Sequence, residues 1–160
     1  MNEETRPEPE FSVFDPQRFL GLDEMGLRVL SWRRLGGPDR PGLRQIRCEP
    51  DSDDARWCPS CGAYARVRSS WLRTLAHVPY GDDAVHLLVR VRRYECVPCS
   101  RSWSDDLEEA AAGRGLLSGP AVMWALRRVC LDSMTVSACA RLLRVAWAVV
   151  DRTVRDRGVP

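Results

Sequence analysis

Between residues 85 and 92 the chain alternates. Val85, Leu87, Val89 and Val91 are apolar, with His86, Leu88, Arg90 and Arg92 between them. A period of two predicts a strand with one apolar face. Residues 65–75 predict its partner, with Pro79, Tyr80, Gly81 and Asp82 as the intervening turn. Two further strands are expected over residues 27–32 and 43–49, joined by a Gly/Pro-rich loop over 36–42. Past residue 117 the period becomes helical. Ser118, Gly119 and Pro120 make a helix start, and Met123, Leu126, Val129 and Cys130 follow at helical spacing. Ser133 to Thr135 start a second helix with Val136, Cys139, Ala140 and Leu143 on one face. A break at Arg144 and Val145 leads to a third, roughly over 146–156. At the front, residues 1–10 read as a Pro/Glu-rich disordered tail, and Phe11, Phe14, Phe19, Leu20 and Leu22 suggest a short helix.

The predicted hairpin is bracketed by cysteines. Cys58-Pro-Ser-Cys61-Gly lies before it and Cys96-Val-Pro-Cys99 after it, with 34 residues between the pairs. A C-x-x-C turn offers two thiolates to one ion, and two such turns supply the closed tetrahedral shell of a structural zinc. One structural Zn2+ held by Cys58, Cys61, Cys96 and Cys99 is therefore expected. Two disulfides are the alternative. Against them, residues 1–10 hold neither a basic nor an apolar leader region, and the chain has seven cysteines, an odd number. Reduced thiols and a cytoplasmic location are the expectation. Cys48, Cys130 and Cys139 read as small buried apolar residues.

Net charge is only +2, but it is uneven along the chain. Residues 57–104 and 116–160 each carry 7 Arg against 3 acids. Residues 1–56 and 105–115 are each net −3. All 24 basic residues are Arg. Two basic modules around an acidic stretch suit double-stranded DNA as partner. No apolar run is long enough to span a membrane, and no membrane partner is expected.

The fold class expected is α+β: a small β zinc ribbon, two CxxC knuckles joined by a β-hairpin, then a C-terminal three-helix, helix-turn-helix-like region. The organisation expected is a tail and short helix over 1–26, a β-rich zinc-ribbon domain over 27–104, an acidic linker over 105–117 and the helical domain over 118–160. In a helix-turn-helix reading, Val145, Val150 and Val154 pack inward. Trp147, Ala148, Asp151, Arg152 and Arg155 then face outward, and Trp147, Arg152 and Arg155 are the candidate DNA contacts. Arg90, Arg92 and Arg93 are candidate phosphate contacts from the ribbon. His77 reads as a hydrogen-bonding turn residue and His86 as exposed. Asp105, Asp106, Glu108 and Glu109 read as a solvated acidic run, since two-metal catalysis gathers carboxylates from separate elements.

The stretch Trp57-Cys-Pro-Ser-Cys-Gly62, Arg73-Thr-Leu-Ala-His-Val-Pro79, Leu88-Val-Arg-Val-Arg-Arg-Tyr-Glu-Cys96-Val-Pro-Cys99 and Trp103 resembles the zinc-binding domain of ISL-three-type bacterial transposases. In that family a zinc ribbon precedes helix-turn-helix elements, and Val145-Ala-Trp-Ala-Val-Val150 is similar to the start of its recognition helix. Arg144 and Ala146 stand where the family has Gly and Ser. The resemblance implies zinc at the four cysteines and DNA contact at Trp147, Arg152 and Arg155. Family members continue into an RNase H-like nuclease domain, and this chain stops at Pro160. The expectation is therefore a non-enzymatic module that binds the element's ends, alone, as a homodimer or with an intact transposase. A stand-alone transcriptional regulator or transposition inhibitor, and a zinc-ribbon protein–protein adaptor, are the alternatives.

Overall fold

The computed structural model describes residues 15–157. The tail read over 1–10, together with Phe11, Phe14, Gly158 and Pro160, lies outside the described residues. Five strands form one sheet: β1 (Leu27–Leu35), β2 (Leu43–Pro50), β3 (Arg66–Tyr80), β4 (Asp83–Glu95) and the short β5 (Ser102–Ser104). Their order is β1-β2-β4-β3, with β5 beside β4. The β1–β2 and β3–β4 hairpins are antiparallel, and β2 joins them by running parallel to β4. The ribbon hairpin is thus built into a larger sheet.

One face of that sheet makes the first core. Ile46 pairs with Leu87, which pairs with Leu75, and Cys48 lies beside Val89. All five are fully buried. Leu20, Leu22, Met25 and Leu27 cover this layer from one side, and Leu107, Ala110 and Ala111 complete it. The helix expected at the front is a single turn among the described residues, α1 (Pro16–Phe19). Gly21 and Gly26, both at φ +63, turn the chain sharply before β1 instead of extending the helix.

The second core lies between three helices, α2 (Gly119–Cys130), α3 (Val136–Leu143) and α4 (Trp147–Arg157), and Ala76 of the opposite sheet face. The helix starts match their caps. Ser118 Oγ accepts from Ala121 N, and Thr135 Oγ1 accepts from Ala138 N at 3.1 Å. The buried face of α2 differs from expectation. Ala121 and Ala125 are buried, whereas Met123 is 65% exposed and Cys130 is exposed. Small residues face inward because α2 approaches the sheet closely at Ala76. Cys48 and Cys139 are buried as expected.

Both histidines are structural ties. His77 is a buried strand residue. The Ser118 hydroxyl, itself accepting from Ala121 N–H, donates to His77 Nδ1 at 2.7 Å, and Nε2–H donates to the Leu20 carbonyl at 2.9 Å. His77 so pins the front segment to the start of α2. Burial pushes its pKa down, outweighing the bond to Leu20. His86 is half-buried rather than exposed, because its Nε2 donates to the Leu143 carbonyl at 3.0 Å. Among the described residues, no helix is long and apolar enough to cross a membrane.

Candidate metal centre and nucleic-acid interface

The two knuckles fold alike because their local chemistry is alike. In the first, Gly62 N–H donates to Cys58 O at 2.8 Å, and Cys58 N–H to Ala63 O at 2.9 Å. In the second, Ser100 N–H donates to Cys96 O at 2.9 Å, and Cys96 N–H to Arg101 O at 2.8 Å. The residue after each second cysteine is left-handed, with Gly62 at φ +72 and Ser100 at φ +59. Position 100 was legible by analogy with Gly62 and was missed, since Ser carries no glycine signal.

The β3–β4 hairpin brings these turns together. Cys58 Sγ lies 3.5 Å from Cys99 Sγ, and Cys61 Sγ 3.4 Å from Cys96 Sγ. All four sulfurs fall within 4.8 Å of one another. A disulfide needs about 2.05 Å between sulfurs, so these are four thiols. Tetrahedral zinc with ligands at about 2.3 Å spaces its sulfurs about 3.8 Å apart, and the cluster fits one structural zinc ion. Cys58 and Cys96 are buried, and Cys61 and Cys99 are exposed.

Electrostatics within the cluster call for a cation. Burial opposes ionisation of Cys58, but the N–H groups of Cys61 and Ser60 and the neighbouring thiols outweigh it, bringing the group down to about 6. At Cys96 the Cys99 N–H favours the thiolate. Burial and hydrogen bonds to Cys61, Cys99 and Cys58 overcome it and push the group up to about 12. Four adjacent thiols cannot all ionise unaided; a dication supplies the missing compensation. Around them, Trp103 Nε1 donates to Ala55 O at 2.7 Å, tying β5 to the first knuckle. Trp57 and Tyr64 meet edge to face at 5.1 Å, with Arg56 over the Tyr64 ring.

The candidate DNA contacts fall into separate places. On α4, Val150 is fully buried, and Val145 and Val154 pack against the same core. Trp147, 49% exposed, and Arg152 and Arg155 turn outward. Arg155 is held by Asp151 at 3.1 Å. Arg90 and Arg93 are exposed on β4, away from these helical residues along the chain. Arg92 corrects the expectation for the ribbon arginines. Its side chain is only 13% exposed and binds the buried Asp105 carboxylate at 3.0 Å. It is therefore not available to a phosphate. Asp105 was read as part of a solvated run and is instead fully enclosed.

Three residues, Arg144, Val145 and Ala146, separate α3 from α4. Arg144 sits at φ 50, ψ 51. Its N–H bonds Arg141 O at 3.2 Å, and Val145 N–H bonds Ala140 O at 3.0 Å, the pattern of a left-handed helix C-terminus. A non-glycine residue there costs about 1 kcal/mol. The Arg144 side chain offsets part of this by donating to Pro41 O at 3.2 Å. Arg144→Gly is expected to stabilise the chain by about 0.5–1 kcal/mol in urea unfolding. A net loss would mean that the Pro41 contact outweighs the backbone strain.

No curated protein and no solved structure matches the chain. The stretch holding both knuckles and the hairpin between them, residues 54–99, is similar to the zinc-finger of transposase IS204/IS1001/IS1096/IS1165, whose family model it matches.

Proposed function

We propose that the chain is a zinc-dependent DNA-binding module without catalytic activity of its own, comparable to the front end of an insertion-sequence transposase. In this reading the zinc ribbon is a rigid anchor, α3 and α4 act as a helix-turn-helix, and α4 lies in the major groove of the element's ends. The observation that carries it is the placement of Trp147, Arg152 and Arg155 on the solvent side of α4, in a chain whose residues 54–99 match a transposase zinc-finger. A four-thiolate shell leaves no coordination position for substrate, which favours binding over chemistry. Four thiolates holding zinc also favour a reducing compartment such as the cytoplasm.

Selection from a randomised duplex pool with zinc-loaded protein tests this. An enriched motif is expected, and Arg152→Ala is expected to weaken it by about 1–3 kcal/mol at the position contacted. No enrichment from a folded, zinc-replete chain would refute sequence-specific reading by α4. A transcriptional regulator or transposition inhibitor would bind DNA by the same surface. The protein–protein adaptor reading is favoured by one feature, the exposed Trp57, Tyr64 and Val97 at the knuckles, 53%, 53% and 67% exposed. It implies no salt-dependent DNA binding.

A further inference from the structure

The sheet face opposite the first core carries arginines that pair with no acid among the described residues. Ile46, Leu87 and Val89 point inward, so Arg47 and Arg90 point outward. Arg33 pairs with outward-facing Gln45, and its Nε donates to Gln45 Oε1 at 2.9 Å. All three arginines are exposed. Five other sheet arginines are ion-paired: Arg28 to Glu49, Arg34 and Arg44 to Asp83, Arg66 to Glu95, and Arg92 to Asp105. Among the described residues, Arg33, Arg47 and Arg90 have no ion-pair partner.

These three form a track. Arg47 sits beside Leu88 in the parallel pair, and Arg90 is two residues further along β4. Diagonal neighbours of this kind are about 8 Å apart. Two adjoining shallow depressions of about 360 and 420 Å³ share Ser31, Arg47, Leu72 and Leu88 as lining; Arg90 borders one and Arg33 the other. The track leads towards the helices. His86, two residues before Leu88 on the same face, bonds Leu143 at the end of α3, and Arg144 reaches Pro41 beside β2.

We propose that this face is a second nucleic-acid contact surface, in which Arg33, Arg47 and Arg90 hold the phosphate backbone of the duplex that α4 reads. The inference rests on the DNA-binding reading above and lengthens the footprint beyond the helices. Charge complementarity selects the occupant: three exposed guanidinium groups without an ion-pair partner, with the neighbouring Glu49 carboxylate held by Arg28, suit a continuous polyanion. Such contacts fix register and add affinity without adding sequence information.

The test compares the zinc-loaded full chain with its Arg33→Gln/Arg47→Gln/Arg90→Gln variant on a labelled duplex over a salt titration. Losing three phosphate contacts is expected to make the slope of log K against log salt shallower by about 2.7. Binding at about 0.15 M salt should weaken on the order of 100-fold, with the motif selected from a random pool unchanged. An unchanged slope, with zinc content and melting temperature intact, would overturn the proposal and leave an acidic protein as the face's partner. If the triple variant fails to fold, each single Arg→Gln change is expected to remove about 0.9 of slope, and an unaltered slope in all three overturns it equally. Absence of duplex binding by the unaltered chain at low salt would instead defeat the DNA-binding reading itself.

Discussion

Cys96→Ser is expected to abolish zinc retention and unfold the ribbon end of the sheet at 25 °C. Cys96 is fully buried, and its sulfur lies 3.4 Å from that of Cys61. Near the metal the β3 strand of the hairpin has little other support. Every residue of β3 from Arg66 to Leu72 is exposed, and burial begins only at Leu75. Structural zinc in comparable sites contributes about 10–16 kcal/mol, against a typical net domain stability of about 5–15 kcal/mol. The rest of the sheet and the helical core bury their own apolar side chains, so unfolding should be local. Hydrogen exchange is expected to accelerate across residues 57–72 and 90–104 and to stay slow around Leu87, Leu143 and Val150. Chelation of the unaltered protein should reproduce that pattern. Retained protection beside Cys58 and Cys99 without zinc would show that the ribbon is held by packing instead.

The second large effect is expected at Asp105. Its carboxylate is fully enclosed and accepts from Arg92 N at 2.8 Å, Arg92 Nε at 3.0 Å and the Tyr94 hydroxyl at 2.7 Å. The Tyr94 phenol is pushed well above its usual value, first by burial and then by this bond. Asp105→Ala leaves a guanidinium with 13% exposure unpaired. Breaking a buried pair from one side costs about 3–5 kcal/mol. Urea unfolding should show a loss of that size, and Asp105→Ala/Arg92→Ala should recover part of it. Asp106, next in sequence and exposed, gives the contrast: among the described residues it accepts only Glu108 N, so Asp106→Ala should cost about 1 kcal/mol or less. Equal losses at the two positions would contradict the burial asymmetry.

What could be read beforehand was local. The four cysteines announced themselves because a C-x-x-C turn is a complete half of a site, and the alternation from Val85 to Val91 fixed how β4 faces the core. Ser118 and Thr135 marked helix starts through their own side-chain bonds. The unread features depend on partners far along the chain. The parallel pairing of β2 with β4 leaves no trace in either strand, since each carries an ordinary apolar face. Asp105 sits among Asp106, Glu108 and Glu109 and looks solvated until β4 places Arg92 against it. Arg33 and Arg47 lie on different strands, and only the sheet register puts them on one face with Arg90. The inward face of α2 was misjudged because Met123 is more apolar than Ala121 and Ala125, yet only the smaller side chains fit against Ala76.

The most direct test is equilibrium binding of the zinc-loaded chain to a short labelled duplex between about 50 and 300 mM salt. A zinc-dependent DNA-binding module should bind at the low end and weaken steeply as salt rises, and chelation should reduce its affinity. No binding at the lowest salt, from protein carrying one zinc per chain, would contradict DNA binding and leave the exposed aromatic surface at the knuckles as the functional one.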